Sequence, residues 1–288
     1  MILSERGNKI ILLDNSQVLI ANIFSVAKQE QKIDENFIRH LVLNTYRMVK
    51  TKFGDTYGDL VICYDTSNCW RKDCFEHYKA NRKKNQDKSA IDWSDVFGVM
   101  NIIRNEVRET FPYKCLSVDR VEADDIIAVL SRKYHTSEKI LIVSNDKDFQ
   151  QLQRYENVKQ WSPNLNKFVY PEDPQEFLKE HILKGDKSDG IPNILSNDNC
   201  LDEGIRQTPL RKPILEKYMR ITIQADDKYY RNYLRNQTLI DFDFIPQSVS
   251  DSILTEYSNT APVRGKVFDY LRTHRLNELL NHVEDFAL

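Results

Sequence analysis

Short apolar runs recur along the chain, separated by stretches whose apolar residues return every three or four positions. KIILLD (9–14), DLVICYD (59–65), YKCLSV (113–118) and ILIV (140–143) read as short buried strands. Helices are expected at NSQVLIANIFSVAKQ, with Asp14, Asn15 or Ser16 as its cap, and at roughly 35–52, where Phe37, Leu41, Leu43, Tyr46 and Met48 recur. Gly54 and Gly58 mark a loop, and residues 91–109 resume an amphipathic helix. In VEADDIIAVL, Ile126, Ile127, Val129 and Leu130 form an apolar helix face. Past Gln150, residues 158–161 and 167–170 suggest an edge hairpin around Pro163-Asn164. A helix from Asp173 to Leu183 then leads into the turn-rich KGDKSDGIPN (184–193). There the alternation stops, and segments around 211–223, 226–235, 262–273 and 274–284 read as helices.

This order implies an α/β fold, with a mostly parallel central sheet covered by helices on both faces and an α-helical C-terminal subdomain. The expected division is 1–185 for the α/β domain and 186–288 for the helical one. Parallel sheets bind ligands at the carboxyl ends of their strands. Asp14, Asp65 and Asp146 fall at such ends, and six further carboxylates adjoin strand ends, helix starts or turns: Glu122, Asp124, Asp125, Asp148, Asp186 and Asp189. Glu122 and Asp125, three apart, are neighbours on one helix face.

Two carboxylates about 4 Å apart repel by roughly 4 kcal/mol at an effective dielectric near 20. A cluster of this kind must protonate, spread apart or bind cations. Oxygen ligands with no His or Cys nearby favour Mg²⁺, with Mn²⁺ as a substitute, over zinc. Two such ions can activate a water and stabilise a leaving oxygen of a phosphodiester. Asp146-Lys147-Asp148 lacks the Gly and distal Glu of a calcium loop, and Ser16 stands where a phosphoaspartate hydrolase needs a second Asp.

The segment 70–89 differs from its surroundings: its apolar stripe is too thin for a core helix, and it reads as a partly exposed or mobile helix over the cleft. Aromatic residues Trp70, Phe75 and Tyr78 are interleaved with Arg71, Lys72, Lys79, Arg82, Lys83 and Lys84. The net charge of −2 conceals this segregation, which suits a polyanion on one face and metal ions in a cleft. Five cysteines without zinc-ribbon spacing fit a reduced compartment. No 18-residue apolar run and no signal-peptide core are present, so a cytoplasmic, non-membrane protein is expected.

The ordered set LLDNSQ, ICYDTS, YKANRKK, VEADDIIAVL, SNDKDFQQL and LKGDKSDGIP resembles the 5′-nuclease (flap endonuclease) superfamily, with its PIN-like fold. KILIVSNDKDFQQL, NVKQWSP, ILKGDK, LIDFDFIP and RGK also resemble the ribonuclease H branch of T-even phages. The resemblance implies a two-metal 5′→3′ exonuclease and flap endonuclease acting on RNA primers and 5′ DNA ends in phage replication. Asp14, Asp65, Glu122, Asp124, Asp125 and Asp146 would lie towards the tighter metal, and Asp148, Asp186 and Asp189 towards the second. Residues 68–88 match the family's arch or clamp, where Lys79 and Arg82 would contact the scissile phosphate. Arg71, Lys72, Tyr78, Lys83 and Lys84 would touch substrate.

The chain departs from many relatives in IPNILSNDNCLDEGIRQTPLRKP, which offers only Gly204 where they carry a glycine-rich loop gripping duplex backbone through potassium. Arg206, Arg211 and Lys212 remain as candidates for duplex phosphates. Single-strand-binding protein and sliding clamp are the implied partners of a monomer in the host-cell cytoplasm. The segment VEDFAL is read as a helix end, with a docking peptide as the alternative. A toxin-like single-strand ribonuclease and a non-catalytic DNA-binding accessory are the rival functions.

Overall fold

The computed structural model describes residues 9–20, 35–66, 68–82 and 93–286. Six strands form one sheet in the order β3-β2-β1-β4-β5-β6. They are β1 (Lys9–Asp14), β2 (Asp59–Cys63), β3 (Lys114–Leu116), β4 (Lys139–Val143), β5 (Val158–Ser162) and β6 (Lys167–Val169). The first five run parallel, and β6 closes the edge antiparallel to β5.

Alternate residues of the central strands feed two cores, as the two-residue period of a strand requires. Ile11, Leu13, Leu60, Ile62, Leu141 and Val143 face α1 (Glu35–Tyr57) and the α-helix Trp93–Thr110. Ile10, Leu12, Val61, Ile140 and Ile142 face the helix Ala123–Tyr134 through its Ile126, Ile127, Val129 and Leu130. In chain order α2 is the single turn Arg71–Cys74, α3 is Trp93–Thr110 and α4 is Ala123–Tyr134. Helix α1 runs through Gly54 to Tyr57, so only Gly58 ends it, not the two-glycine loop expected. At φ +73° a Cβ on Gly58 would lie 2.7 Å from the carbonyl of Lys9.

The helices after the sheet are α5 (Pro174–Lys184), α6 (Lys212–Arg220), α7 (Tyr230–Ile240), α8 (Gln247–Asn259), α9 (Val267–Thr273) and α10 (Asn277–Leu280). Helix α8 falls outside the expected helical segments. Its serines and acids mask a thin stripe, yet Val249, Ile253, Leu254 and Tyr257 pack onto the α4 side of the sheet. Leu183, Ile194, Tyr218 and Ile223 form a small core of their own near the expected 185/186 boundary, but the last helices do not stay with it. Val267, Tyr270, Leu271, Leu276, Leu279 and Phe286 join the cluster that contains Ile11 and Leu13. Arg39 on α1, also buried, reinforces this return: its guanidinium donates to Glu106 at 3.1 Å and to the Tyr270 hydroxyl at 2.9 Å. Burial of Phe286 against Phe111 also removes the aromatic anchor from the docking-peptide reading of VEDFAL. Among the described residues no helix is long and apolar enough to cross a membrane.

Candidate active site

Chain connections leave β1 first towards β2 and later return to its other side at β4, so the crevice between the C-terminal ends of β1 and β4 is a topological switch point. Asp14 ends β1, and Ser144 follows β4. The Ser144 hydroxyl donates to Asp14 Oδ2 at 2.7 Å and accepts the backbone N–H of Asp146 at 3.0 Å, tying the two strand ends together. Asp146 caps the 3₁₀ turn Lys147–Arg154 by accepting from the N–H of Asp148 at 3.0 Å. On the other flank, Asp65 after β2 accepts the N–H of Ala123 at 2.9 Å, at the start of α4.

Seven of the nine predicted carboxylates act on one another directly, and Glu122 joins them through Lys79, which it shares with Asp189. Burial first, then Asp65, pushes Asp14 up to about 7. Asp124 is held well above the usual carboxylate range by burial, then by Asp14 and Asp146. Asp148 is raised to about 7 by burial and then by Asp146, with His181 opposing. Asp146 is raised by burial and by Asp189 and Asp186, against the N–H it accepts from Asp148. These shifts mark negative charge that the protein's own cations do not cancel.

Asp125 is the exception. Fully buried, it accepts two hydrogen bonds from the Arg71 guanidinium, at 2.7 and 3.0 Å, and one from Trp70 Nε1 at 3.0 Å. Its oxygens are thus committed to the interior, which corrects the expectation of a metal ligand. Arg71 is likewise not a surface contact for substrate. It is 3% exposed, bonded to Glu122 at 3.1 Å and to the carbonyl of Leu239 on α7 at 2.9 Å. Tyr78 is also buried, its hydroxyl within reach of both Glu122 (3.0 Å) and Asp189 (3.1 Å).

The described part of the basic segment is therefore anchored, contrary to the expectation of a loosely held helix. Cys69, Phe75 and Tyr78 pack with Ile182, Ile191, Leu239 and Ile240. Gly190, at φ +74°, lies so close beneath it that a Cβ would stand 2.7 Å from the carbonyl of His77. This docking holds Lys79, itself at φ +57°, with its ammonium 2.5 Å from Glu122 and 3.5 Å from Asp189. Burial opposes the charged form of Glu122, but Lys79 and then Arg71 hold its carboxyl down at about 2. Arg82, half-exposed, pairs with Asp189 at 2.7 Å. Lys72 is exposed, and Lys83 and Lys84 lie outside the described residues. Arg206 lines a groove with Lys147, Lys184 and Lys187 beside Asp186, while Arg211 and Lys212 are exposed at the start of α6.

One residue of the site escaped the sequence reading. His181 on α5 is 6% exposed and stands between Asp186 (Nε2, 3.0 Å) and Asp148 (Nδ1, 3.4 Å), forming with them a group able to hold a metal. The carboxylates are therefore not free of nearby histidine, as assumed above. The available signal was a histidine on the buried stripe, three residues after Leu178 and five before Asp186.

A mostly parallel sheet whose switch point gathers carboxylates under an anchored basic segment defines a class, and the chain's likeness to known proteins agrees with it. The chain belongs to the 5′-3′ exonuclease family of nucleases: residues 9–181 match the 5′-3′ exonuclease N-terminal, resolvase-like domain. Residues 176–286 match the C-terminal domain described for T4 RNase H. Ribonuclease H of Enterobacteria phage T4 is 34% identical over 96% of this chain and 95% of its own length. A 5′-3′ exonuclease of Buchnera aphidicola subsp. Schizaphis graminum is 28% identical over 64% of this chain and 65% of its own. The structure of the T5 D15 protein with metal ions superposes with a TM-score of 0.60 over 88% of this chain and 99% of that one, a likeness of fold at 15% identity.

Proposed function

We propose that the chain is a Mg²⁺-dependent 5′→3′ exonuclease and flap endonuclease that removes RNA primers and 5′ DNA ends during phage DNA replication. The observation that carries the reading is the gathering of eight carboxylates at the switch point, with Lys79 and Arg82 held against Glu122 and Asp189. Divalent ions suit this donor set. Asp14 and Asp148 are raised to about 7 by burial and then by neighbouring carboxylates, and the buried Asp148 Oδ1 makes no hydrogen bond. Asp14, Asp65, Glu122, Asp124 and Asp146 would hold one ion, and Asp148, Asp186 and Asp189 a second. When bound, such ions activate water and offset charge on the leaving oxygen.

The chain's own residues do the rest. Lys79 and Arg82 exchange their carboxylate partners for the scissile phosphate and stabilise the charge that develops on it. Tyr78 and Arg71 keep Glu122 in place from behind. Duplex backbone follows the groove of Lys147, Lys184, Lys187 and Arg206 towards Arg211 and Lys212 on α6. The frayed 5′ end reaches Lys79 and Arg82 on the basic segment. The T5 D15 flap endonuclease has been solved with DNA and metal ions, which supports a nucleic-acid substrate for this fold. Family likeness supports a monomer in the host cytoplasm, partnered by single-strand-binding protein and sliding clamp.

The test is one assay with a 5′-labelled flap, a nicked duplex and an RNA-primed duplex, each with and without Mg²⁺. Release of short 5′ fragments only with Mg²⁺ is the expected result. Cutting of free single-stranded RNA alone, or binding without cleavage, overturns the reading.

A further inference from the structure

The imidazole of His181 is held in a way that a structural role does not account for. It lies on α5, buried beside Phe177, facing the 3₁₀ turn that carries Asp148. Its Nε2 is 3.0 Å from Asp186 Oδ2. The Asp186 carboxylate also accepts the N–H of Ser188 at 2.8 Å and lies 2.9 Å from the Lys147 ammonium, so donors surround it. A charged carboxylate there calls for Nε2–H as the donor and leaves the lone pair on Nδ1.

That nitrogen has no hydrogen-bond partner, and neither has the oxygen it faces, Asp148 Oδ1, 3.4 Å away. Two acceptors pointed at each other inside a protein repel. Protonating Nδ1 instead would pair it with Asp148 at 3.4 Å, yet neither atom makes a hydrogen bond there. A cation between them resolves both difficulties. Two donors each about 2.1 Å from a shared ion stand roughly 3.0–3.4 Å apart. The oxygens of Asp186 are meanwhile occupied by His181, Ser188 and Lys147. Its place is thus behind the ring and not on the ion, which revises the role given to Asp186 above, in the carboxylate–histidine–metal arrangement that fixes a ligand's tautomer and orientation.

We infer that His181 Nδ1 and Asp148 Oδ1 together ligate the second divalent ion, with Asp186 orienting the imidazole, so that this site is a mixed nitrogen and oxygen site. The inference rests on the two-ion reading above and deepens it. An imidazole donor favours Mn²⁺, Co²⁺ or Zn²⁺ over Mg²⁺ relative to an all-oxygen site. His181 is in this sense a specificity-determining residue for the metal.

The experiment titrates Mn²⁺ alone into the full chain and records pulsed electron paramagnetic resonance for coupling to ¹⁴N. The expected result is two bound ions, with the modulation of one directly coordinated imidazole nitrogen. His181→Gln should abolish that modulation, weaken the second Mn²⁺ by about ten- to hundredfold and leave the first unchanged. Mg²⁺ affinity should fall less than Mn²⁺ affinity. Two bound Mn²⁺ without nitrogen modulation in the unmodified protein overturn the inference and leave the two-ion reading standing. Modulation that survives in His181→Gln and in a second variant, His181→Asn, also overturns it. A chain that binds no Mn²⁺ overturns both. The spectrum of the unmodified protein decides the question even if neither variant folds.

Discussion

Lys79 and Asp189 are joined twice: the backbone N–H of Lys79 donates to the Asp189 carbonyl at 2.8 Å, and its ammonium stands 3.5 Å from the same residue's carboxylate. The basic segment and the 186–191 turn thus meet at the residue expected on the phosphate. On the proposed function, Lys79→Ala removes a charge that acts on the reaction more than on docking. The expected outcome is a fall in kcat of about 10²–10³-fold with a much smaller change in Kd, read by single-turnover cleavage and by binding in Ca²⁺. A loss confined to Kd would make Lys79 a docking residue.

Asp146 faces the Asp14 and Asp124 side of the cleft and the Asp186 and Asp189 side alike. Asp146→Asn should therefore lower turnover by roughly 10³-fold while sparing duplex affinity. An active variant with unchanged Mg²⁺ dependence would contradict the metal assignment.

Arg71 and Asp125 form a buried pair, so their contribution is read in stability. Arg71→Met leaves Asp125 without its cation and Glu122 with Lys79 alone, and should cost about 3–5 kcal/mol in urea unfolding. Adding Asp125→Leu should recover much of that loss. Unchanged stability with weakened DNA binding would return Arg71 to the substrate surface.

Gly190→Ala forces a Cβ towards the carbonyl of His77 at a positive φ. A loss of about 1–3 kcal/mol is expected, and kcat should fall by roughly tenfold as Lys79 is displaced. Normal kcat at reduced stability would show that the cleft tolerates a looser turn.

Asp14 and Asp148 carry pKa values raised to about 7 from 3.8. The folded state therefore binds more protons than the unfolded one between those values, and stability declines as pH rises through that window. Metal-free protein should melt about 5 °C or more lower at pH 8 than at pH 5.5, and saturating Mg²⁺ should flatten the difference. Glu122 acts in the opposite sense. Its carboxyl is depressed from 4.5 to about 2, so its contribution is present above pH 4.5 and is lost as pH falls towards 2.

Strand ends and their acids were legible because a strand buried on both faces is an unbroken apolar run, and Asp14, Asp65 and Asp146 follow such runs directly. The fate of Asp125 was not. Its spacing from Glu122 is equally compatible with facing the cleft or the interior, and the choice depends on Arg71, 54 positions away. Arg71 in turn hid in a run of cations that looks solvated as a whole. His181 was passed over because a lone histidine on a helix stripe carries no local sign of the two carboxylates that tertiary structure brings to it. Helix α8 depends on contacts with α4 and β3, and the return of α9 and α10 on contacts with α1, all more than 100 residues earlier, which no local period records.

The packing of Leu271, Leu279 and Phe286 against the cluster containing Ile11 and Leu13 also bears on how the molecule is made. Synthesis runs from the N-terminus, so the β1 strand emerges long before the helices that finish covering it. The nascent sheet must carry an incompletely covered apolar face throughout elongation, a state open to aggregation or chaperone capture. Nuclease activity should then appear late and abruptly, with the last helices acting as the latch that makes the cleft rigid.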